Sequence, residues 1–334
     1  MCTAVSWNHG HHYFGRNLDL EYSYREAVTI TPRNFPFHFR MLPTMDTHYA
    51  MIGVATVEQG YPLYYDAVNE KGLCIAGLNF PGLAHYEKPQ AEKDNVASFE
   101  LIPWILGQCD TVTQAEDLLQ RINITDTAFS DAFRPTPLHW IIADASRCLT
   151  VEATKDGLHI HENPLGVLTN NPPFDFHLYN LRNYMQVSTA PAVNRFSQDL
   201  ELTPYSNGMG GIGLPGDFSS ASRFVRAAFA RLNSVAGQTE EAAVSQFLHI
   251  LSAVAMPRGC VKMPEDRFEI TLYSSCCNAD LGIYYYTTYD NSRVCAVALH
   301  RENLDGNDII SYPLLHQPDF YLQNQTFGKE GKPT

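Results

Sequence analysis

The order in which two-residue and helical hydrophobic periods succeed one another constrains the fold of this 334-residue chain more than any other feature. Runs at 2–7, 13–18, 27–31, 49–56 and 72–80 predict strands, punctuated by the turn clusters Asn8-His9-Gly10 and Glu70-Lys71-Gly72. Helical patterns follow at 98–109 and 112–122, where Thr113 and Glu116 have capping-box spacing. Strands return at 137–143 and 149–153, an expected pair, and at 157–161 and 166–168. A short helix is predicted over 178–185 and longer ones over 222–232 and 239–254. In the last of these Val244, Phe247, Leu248 and Leu251 recur at helical spacing, so one face is buried. Strands at 267–274, 282–289 and 293–300 close the pattern. The absence of regular βαβ alternation argues for an α+β protein of antiparallel sheets covered by helices. No linker or repeat interrupts it, so the expectation is a single domain over 1–323, with a disordered polar tail at 324–334.

Charge and composition narrow the function classes. The 23 Lys and Arg against 36 Asp and Glu give a formal charge of −13, with the charges scattered rather than clustered. Phosphate binding needs clustered cations, so no nucleic-acid partner is expected. No apolar run approaches the roughly 20 residues of a membrane span, and Met1-Cys2-Thr3-Ala4 begins nothing like a signal peptide. A cytoplasmic protein without a membrane partner is therefore expected. The eight cysteines form no CxxC pair and no zinc-type spacing with histidine, which argues against disulfides and metal. Cys74, Cys148 and Cys295 lie in apolar strand-like runs and read as small buried hydrophobes.

Three tempting signals carry no function. Gly208 to Gly213 matches GxGxxG, but no strand precedes it and no helix opens on it, so it reads as a surface loop. His9, His11 and His12 crowd one turn, and His159 and His161 alternate along a strand; both groups read as solvent-facing polarity. Tyr284, Tyr285, Tyr286 and Tyr289 lie in a strand pattern without basic neighbours and read as sheet packing, not as a base-stacking platform.

Cys2 stands out by position. Loss of an initiator Met before a small residue leaves a thiol and a free α-amine on one residue, so that nucleophile and base are built together. Ordinary values near 7.7 to 8.0 for an α-amine and near 8.5 for a thiol make proton exchange between them nearly isoenergetic at neutral pH. A nearby cation favours a thiolate and a carboxylate can hold the amine. Arg16 and Asp19, in Gly15-Arg16-Asn17-Leu18-Asp19, offer those charges on the strand expected to pair with that of Cys2.

Met1-Cys2-Thr3, Phe14 to Asp19 and Pro32-Arg33-Asn34-Phe35 together resemble the choloylglycine hydrolase family. The resemblance continues through Asn69 to Leu73, Ala76 to Pro81, Gly166 to Pro172, Gly213 to Phe218, Ala221-Ser222-Arg223-Phe224 and Glu302 to Asp305, reaching residue 312. It implies an N-terminal-nucleophile (Ntn) hydrolase: a four-layer αββα sandwich of two antiparallel sheets between helical layers, assembled as a homotetramer and needing no cofactor or metal. Carried over motif by motif, Cys2 is the nucleophile and its α-amine the base. Arg16 lies beside the thiolate, Asp19 positions the amine, Asn79 and Asn170 stabilise the oxyanion, and Arg223 completes the polar network.

Two branches of the family differ around the acyl pocket. Asn79 in Gly77-Leu78-Asn79-Phe80 matches the bile salt hydrolase branch, whereas penicillin V acylases tend to carry Tyr there. The resemblance therefore implies hydrolysis of glycine- or taurine-conjugated bile salts, with weak penicillin V cleavage beside it. A sterol is a large apolar body, and the stretches 18–24, 80–86 and 125–135 are the expected walls of its pocket. The alternatives are a penicillin V acylase of the same family, or a ligand-binding member without activity, which a retained Met1 would favour.

Overall fold

The computed structural model describes residues 1–324; the expected disordered tail lies, but for Asn324, outside the described residues. The first sheet contains β1 (Cys2–His9) and β2 (His11–Leu20), and the second contains β3 (Ala27–Thr31), β4 (Met51–Glu58), β5 (Tyr61–Asn69) and β6 (Cys74–Asn79). A short β7 (Asp94–Ala97) then leads to helices α1 (Leu101–Leu106) and α2 (Val112–Leu119). Next come β8 (Ile122–Thr125), which pairs in parallel with β7, then β9 (Leu138–Ala143), β10 (Cys148–Thr154), β11 (Gly157–Glu162) and β12 (Val167–Leu168). Helices α3 (Phe174–Asn180), α4 (Ser220–Asn233) and α5 (Glu240–Ser252) precede β13 (Ile270–Asn278), β14 (Ile283–Thr288), β15 (Cys295–Ala298) and β16 (Ile310–Pro313).

The six-stranded sheet runs β12-β1-β2-β13-β14-β15 and the eight-stranded sheet β11-β10-β9-β6-β5-β4-β3-β16. Every pairing within these two sheets is antiparallel. Each sheet buries apolar side chains on both faces, alternate residues pointing to opposite sides. In β6 and β9, Ala76, Leu78 and Ile141 face the first sheet, whereas Ile75, Trp140 and Ile142 face α1 and α2. On the far side of the first sheet Val5 and Trp7 pack with Phe224 of α4 and Phe247 of α5. The layers are therefore α4/α5, sheet, sheet and α1/α2, the αββα sandwich.

Two glycines shape the surroundings of β2, one at its turn and one at its contact with β13. Gly10 sits at φ +71° between the paired His9 and His11, in a conformation that favours glycine. At Gly15 a Cβ would lie 2.0 Å from the Ser275 carbonyl oxygen, so only glycine allows β13 to approach β2.

The structure corrects several expectations. Thr113 and Glu116 form no capping box: Thr111 caps α2 by accepting from Gln114 N–H, while Thr113 and Glu116 both bind Arg147. The third helix begins at Phe174, earlier than its hydrophobic spacing suggested. β5 is hidden in the sequence by Pro62 near its start and by Asp66, a buried charge in its middle. His12 is buried, not solvent-facing, and its Nε2 meets Ser6 Oγ at 2.9 Å. The 208–213 segment holds a half-buried 3₁₀ turn at Met209–Gly211 with neither strand nor helix of the dinucleotide type, and Tyr284 and Tyr286 pack in the first sheet. Among the described residues no helix is long and apolar enough to cross a membrane.

Candidate active site

The β1–β2 register sets the geometry. Cys2 lies opposite Leu18 and Ala4 opposite Arg16, so the side chains of Cys2 and Arg16 share the face turned toward the second sheet. Asp19 falls on the other face with Thr3 and Asn17, toward the helices, and its N–H donates to the Met1 carbonyl at 3.0 Å. Arg16 and Asp19 thus flank Cys2 from opposite sides of one sheet. Cys2 itself is 3% exposed.

Arg16 spans the gap between the sheets, with Nη1 donating to the carbonyls of Tyr65 at 2.8 Å and Gly77 at 2.7 Å. Burial opposes its charge, but the Cys2 thiol group, Tyr273 and Asp66 outweigh burial and hold the guanidinium above its ordinary pKa. Asp66 accepts from Tyr273 Oη at 2.9 Å and Tyr284 Oη at 2.5 Å. Burial raises its pKa, against the pull of Arg16 and the two hydroxyls.

Asp19 Oδ1 accepts from Thr271 Oγ1 at 2.6 Å, whereas Oδ2 has no hydrogen bond among the described residues and lies 3.9 Å from Arg223 Nη1. Its pKa is raised, chiefly by burial, against Arg223 and the terminal amine. Met1 is present, and its amine donates to the Asp19 carbonyl at 2.7 Å and pairs with Glu269. Burial lowers the pKa of that amine. The Met1–Cys2 peptide nitrogen stands where the free amine of a processed Cys2 would be, and it donates to Asn170 Oδ1 at 2.9 Å.

Asn170 follows the short β12 and holds the cluster together. Besides the Cys2 nitrogen, its Oδ1 accepts from Arg223 Nη2 at 2.7 Å, and its Nδ2 donates to the Asn79 carbonyl at 2.7 Å. Arg223, in the first turn of α4, reaches back to Cys2 O at 2.5 Å and Thr3 Oγ1 at 2.7 Å. Ser219 starts that helix by accepting from Ser222 N–H. Burial lowers the Arg223 pKa, opposed by Asp19 and Cys2. Asn79 ends β6 with a half-buried side chain that makes no hydrogen bond among the described residues. Asn170 Nδ2 keeps a second hydrogen and the Asn79 carboxamide both of its own, so each can still donate.

All six sequence candidates thus lie in one cluster. Sequence reading missed its supports: Thr3, Thr271, Asp66, Tyr273, Tyr284 and Ser220, whose Oγ accepts the Asn170 N–H at 2.8 Å. Each looks like an ordinary strand or helix residue until the layers are packed together. The stretches 18–24, 80–86 and 125–135 continue from, or lead into, Leu18, Asn79 and Leu138, and Asn79 pairs with Leu138. A groove of about 500 Å³ between α5 and β14, lined by Val244, Leu248, His249 and Tyr285, contains none of the six.

Two antiparallel sheets face to face between helices, with a cysteine at the start of a central strand, define the Ntn-hydrolase class. The family model for linear amide C–N hydrolases, choloylglycine hydrolase family, matches residues 2–312, and the chain belongs to that family. It is 51% identical over 324 residues to the bile salt hydrolase/transferase of Lactiplantibacillus plantarum, covering 97% of this chain and 100% of the relative. A solved variant of the conjugated bile acid hydrolase of Clostridium perfringens superposes with TM-score 0.90 at 37% identity, covering 97% of this chain and 100% of that one. The penicillin V acylase of Agrobacterium tumefaciens shares the fold, with TM-score 0.73 at 18% identity over 93% of this chain and 90% of that one.

Proposed function

We propose that this chain hydrolyses the amide bond of glycine- or taurine-conjugated bile salts, with Cys2 as nucleophile once Met1 is removed. The observation that carries this reading is the linked set around Cys2: its nitrogen on Asn170 Oδ1, Arg223 on the same oxygen and on Cys2 O, and Asn170 Nδ2 on the Asn79 carbonyl. The freed α-amine takes the thiol proton, and the sulfur attacks the amide carbon. The carbonyl π electrons move to oxygen, where Asn170 Nδ2 and Asn79 donate hydrogen bonds. Collapse breaks the C–N bond, and the protonated amine returns its proton to the departing glycine or taurine nitrogen. Water, deprotonated by the same amine, then attacks the thioester and releases bile acid and thiol. Arg16 supplies the fixed positive charge on the thiol's side of the sheet. Asp19 Oδ2, without a hydrogen bond among the described residues, is available to hold the amine.

The substrate class follows from the similarity to bile salt hydrolases together with Asn79. The acyl pocket we assign to 18–24, 80–86 and 125–135, where Tyr22 and Tyr24 are exposed at 47% and 40%. The family resemblance extends the reading to one domain over 1–323 and to a cytoplasmic homotetramer. Sedimentation velocity of the purified chain checks the tetramer.

The deciding assay measures glycine or taurine released from conjugated cholates, beside penicillin V, with Cys2→Ala as control and intact mass reporting loss of Met1. The expected result is bile salt turnover by the chain lacking Met1 and none by the variant. Faster turnover of penicillin V than of every bile salt sinks the substrate assignment, and full activity with Met1 retained sinks the mechanism.

A further inference from the structure

Beneath Asn170 lies a buried ionisable pair that the mechanism above does not use. His139 on β9 and Glu152 on β10 are 0% and 1% exposed and meet across the two strands, one step beyond the last paired residues, Trp140 and Val151. His139 Nδ1 is 3.0 Å from Glu152 Oε1, and His139 Nε2 is 3.0 Å from the Thr169 carbonyl oxygen. A carbonyl only accepts, so Nε2 carries a hydrogen, and Nδ1 and the carboxyl share one further proton between them. Glu152 also accepts the Phe174 N–H, at 3.1 Å to Oε1 and 3.2 Å to Oε2.

Among the described residues every remaining hydrogen bond of the pair therefore goes to the backbone at one end or the other of the arc 169–174, which carries Asn170, while His161 Nε2 lies 3.9 Å from Glu152 Oε2. The His139 ring also stacks on Phe80, next to Asn79, with centroids 4.3 Å apart and planes within 7°. One side chain thus touches the neighbours of both amide donors. Apolar residues would fill the same space without desolvating two ionisable groups, so packing alone does not account for the pair.

We propose that His139 and Glu152 are positioning residues that fix the aim of the Asn170 carboxamide by clamping both ends of its arc. This rests on the reading of Asn170 as an oxyanion donor. The variants H139F, E152L, E152Q and N170A test it, each assayed for kcat and KM on glycocholate and for alkylation of Cys2 by iodoacetamide, a reaction without an oxyanion. H139F keeps the stack on Phe80 and E152L the volume, while both break the clamp. Each is expected to lower kcat about 10- to 100-fold, with KM within about threefold and alkylation within about twofold of wild type. E152Q can donate to Nδ1 and accept from Phe174 N–H, so it should stay within about threefold of wild-type kcat.

Wild-type kcat in H139F or E152L, beside an N170A loss of about 100- to 1,000-fold, overturns the inference and leaves the oxyanion reading standing. Wild-type kcat in N170A overturns the oxyanion reading and the clamp with it. Alkylation falling in step with kcat, or E152Q as damaged as E152L, also overturns the clamp. Should H139F not fold, the contrast between E152L and E152Q decides.

Discussion

His12 shows how one residue's burial becomes a property of the whole protein. It follows the turn that ends the first strand, yet burial places it against Ser6 Oγ and pushes its pKa down to about 4, with Asp280 only partly opposing. An unfolded chain protonates this imidazole near its ordinary value of 6.5, so between pH 6.5 and 4 the unfolded state binds more protons than the folded one. Stability must therefore fall as pH drops through that window and level off below it, by about 3 kcal/mol at most. His12→Gln, which can still bond Ser6, removes the linkage. Urea unfolding at pH 7.5 and pH 4.5 should show the wild type losing about 2 to 3 kcal/mol more than the variant between the two pH values. Equal losses would mean that His12 is protonated in the folded protein. The sequence placed His12 with its solvent-facing neighbours because alternation alone does not say which face of a hairpin is covered. Cys2, Arg16 and Asp19 were legible because a single hairpin joins them. Cys2 and Arg223 are 221 positions apart, so their contact became readable only through motifs shared with a known family. His139 and Glu152 gave no sign, since each is the lone acidic or basic residue of its strand.

At the scale of elements, local periodicity located most strands and all the longer helices, and it failed where a residue's role depends on what lies across from it. The start of α2 is the clearest case. Thr111, extended at φ −135°, accepts from Gln114 N–H, and the Gln114 side chain accepts from Asp110 N–H, so the cap sits two residues before the predicted one. Thr113 and Glu116 have the right spacing for a capping box, but Arg147, between β9 and β10, draws both side chains away. Thr111→Ala should lower stability by about 1 kcal/mol, the ordinary cost of a lost N-cap. Thr113→Ala, which removes only an exposed hydrogen bond, should cost no more than about 0.5 kcal/mol. Thermal or urea unfolding of the two variants distinguishes the caps, and the reverse order would restore the sequence-based assignment. β5 escaped notice for a related reason: Asp66 breaks its apolar run, and Arg16 and the two tyrosines from the facing sheet are what explain a carboxylate there.

For the molecule as a whole, the question is whether the layers fold as one unit, and the polar groups between the sheets bear on it as much as the apolar core. Arg16 of the first sheet bonds carbonyls of the second, and Asp66 of the second accepts from Tyr273 and Tyr284 of the first. Separating the sheets would strand a guanidinium, a carboxylate and two phenols at once, and breaking a buried charge network from one side commonly costs about 3 to 5 kcal/mol. Neither sheet should therefore unfold while the other stays intact. The chain's three tryptophans are placed to test this. Trp7 lies near Phe247 of α5, Trp140 is on the outer face of β9, and Trp104 is within α1, so between them they report both outer interfaces and the second sheet. Single-tryptophan variants, with the other two changed to Phe, should give coincident urea transitions once each is referred to its own stability by circular dichroism. In Asp66→Leu the three midpoints should fall together, because the lost network belongs to both sheets. If the Trp104 signal instead moved apart from that of Trp7, the helical layer over the second sheet would be a separate cooperative unit, and the single-domain reading over 1–323 would fail.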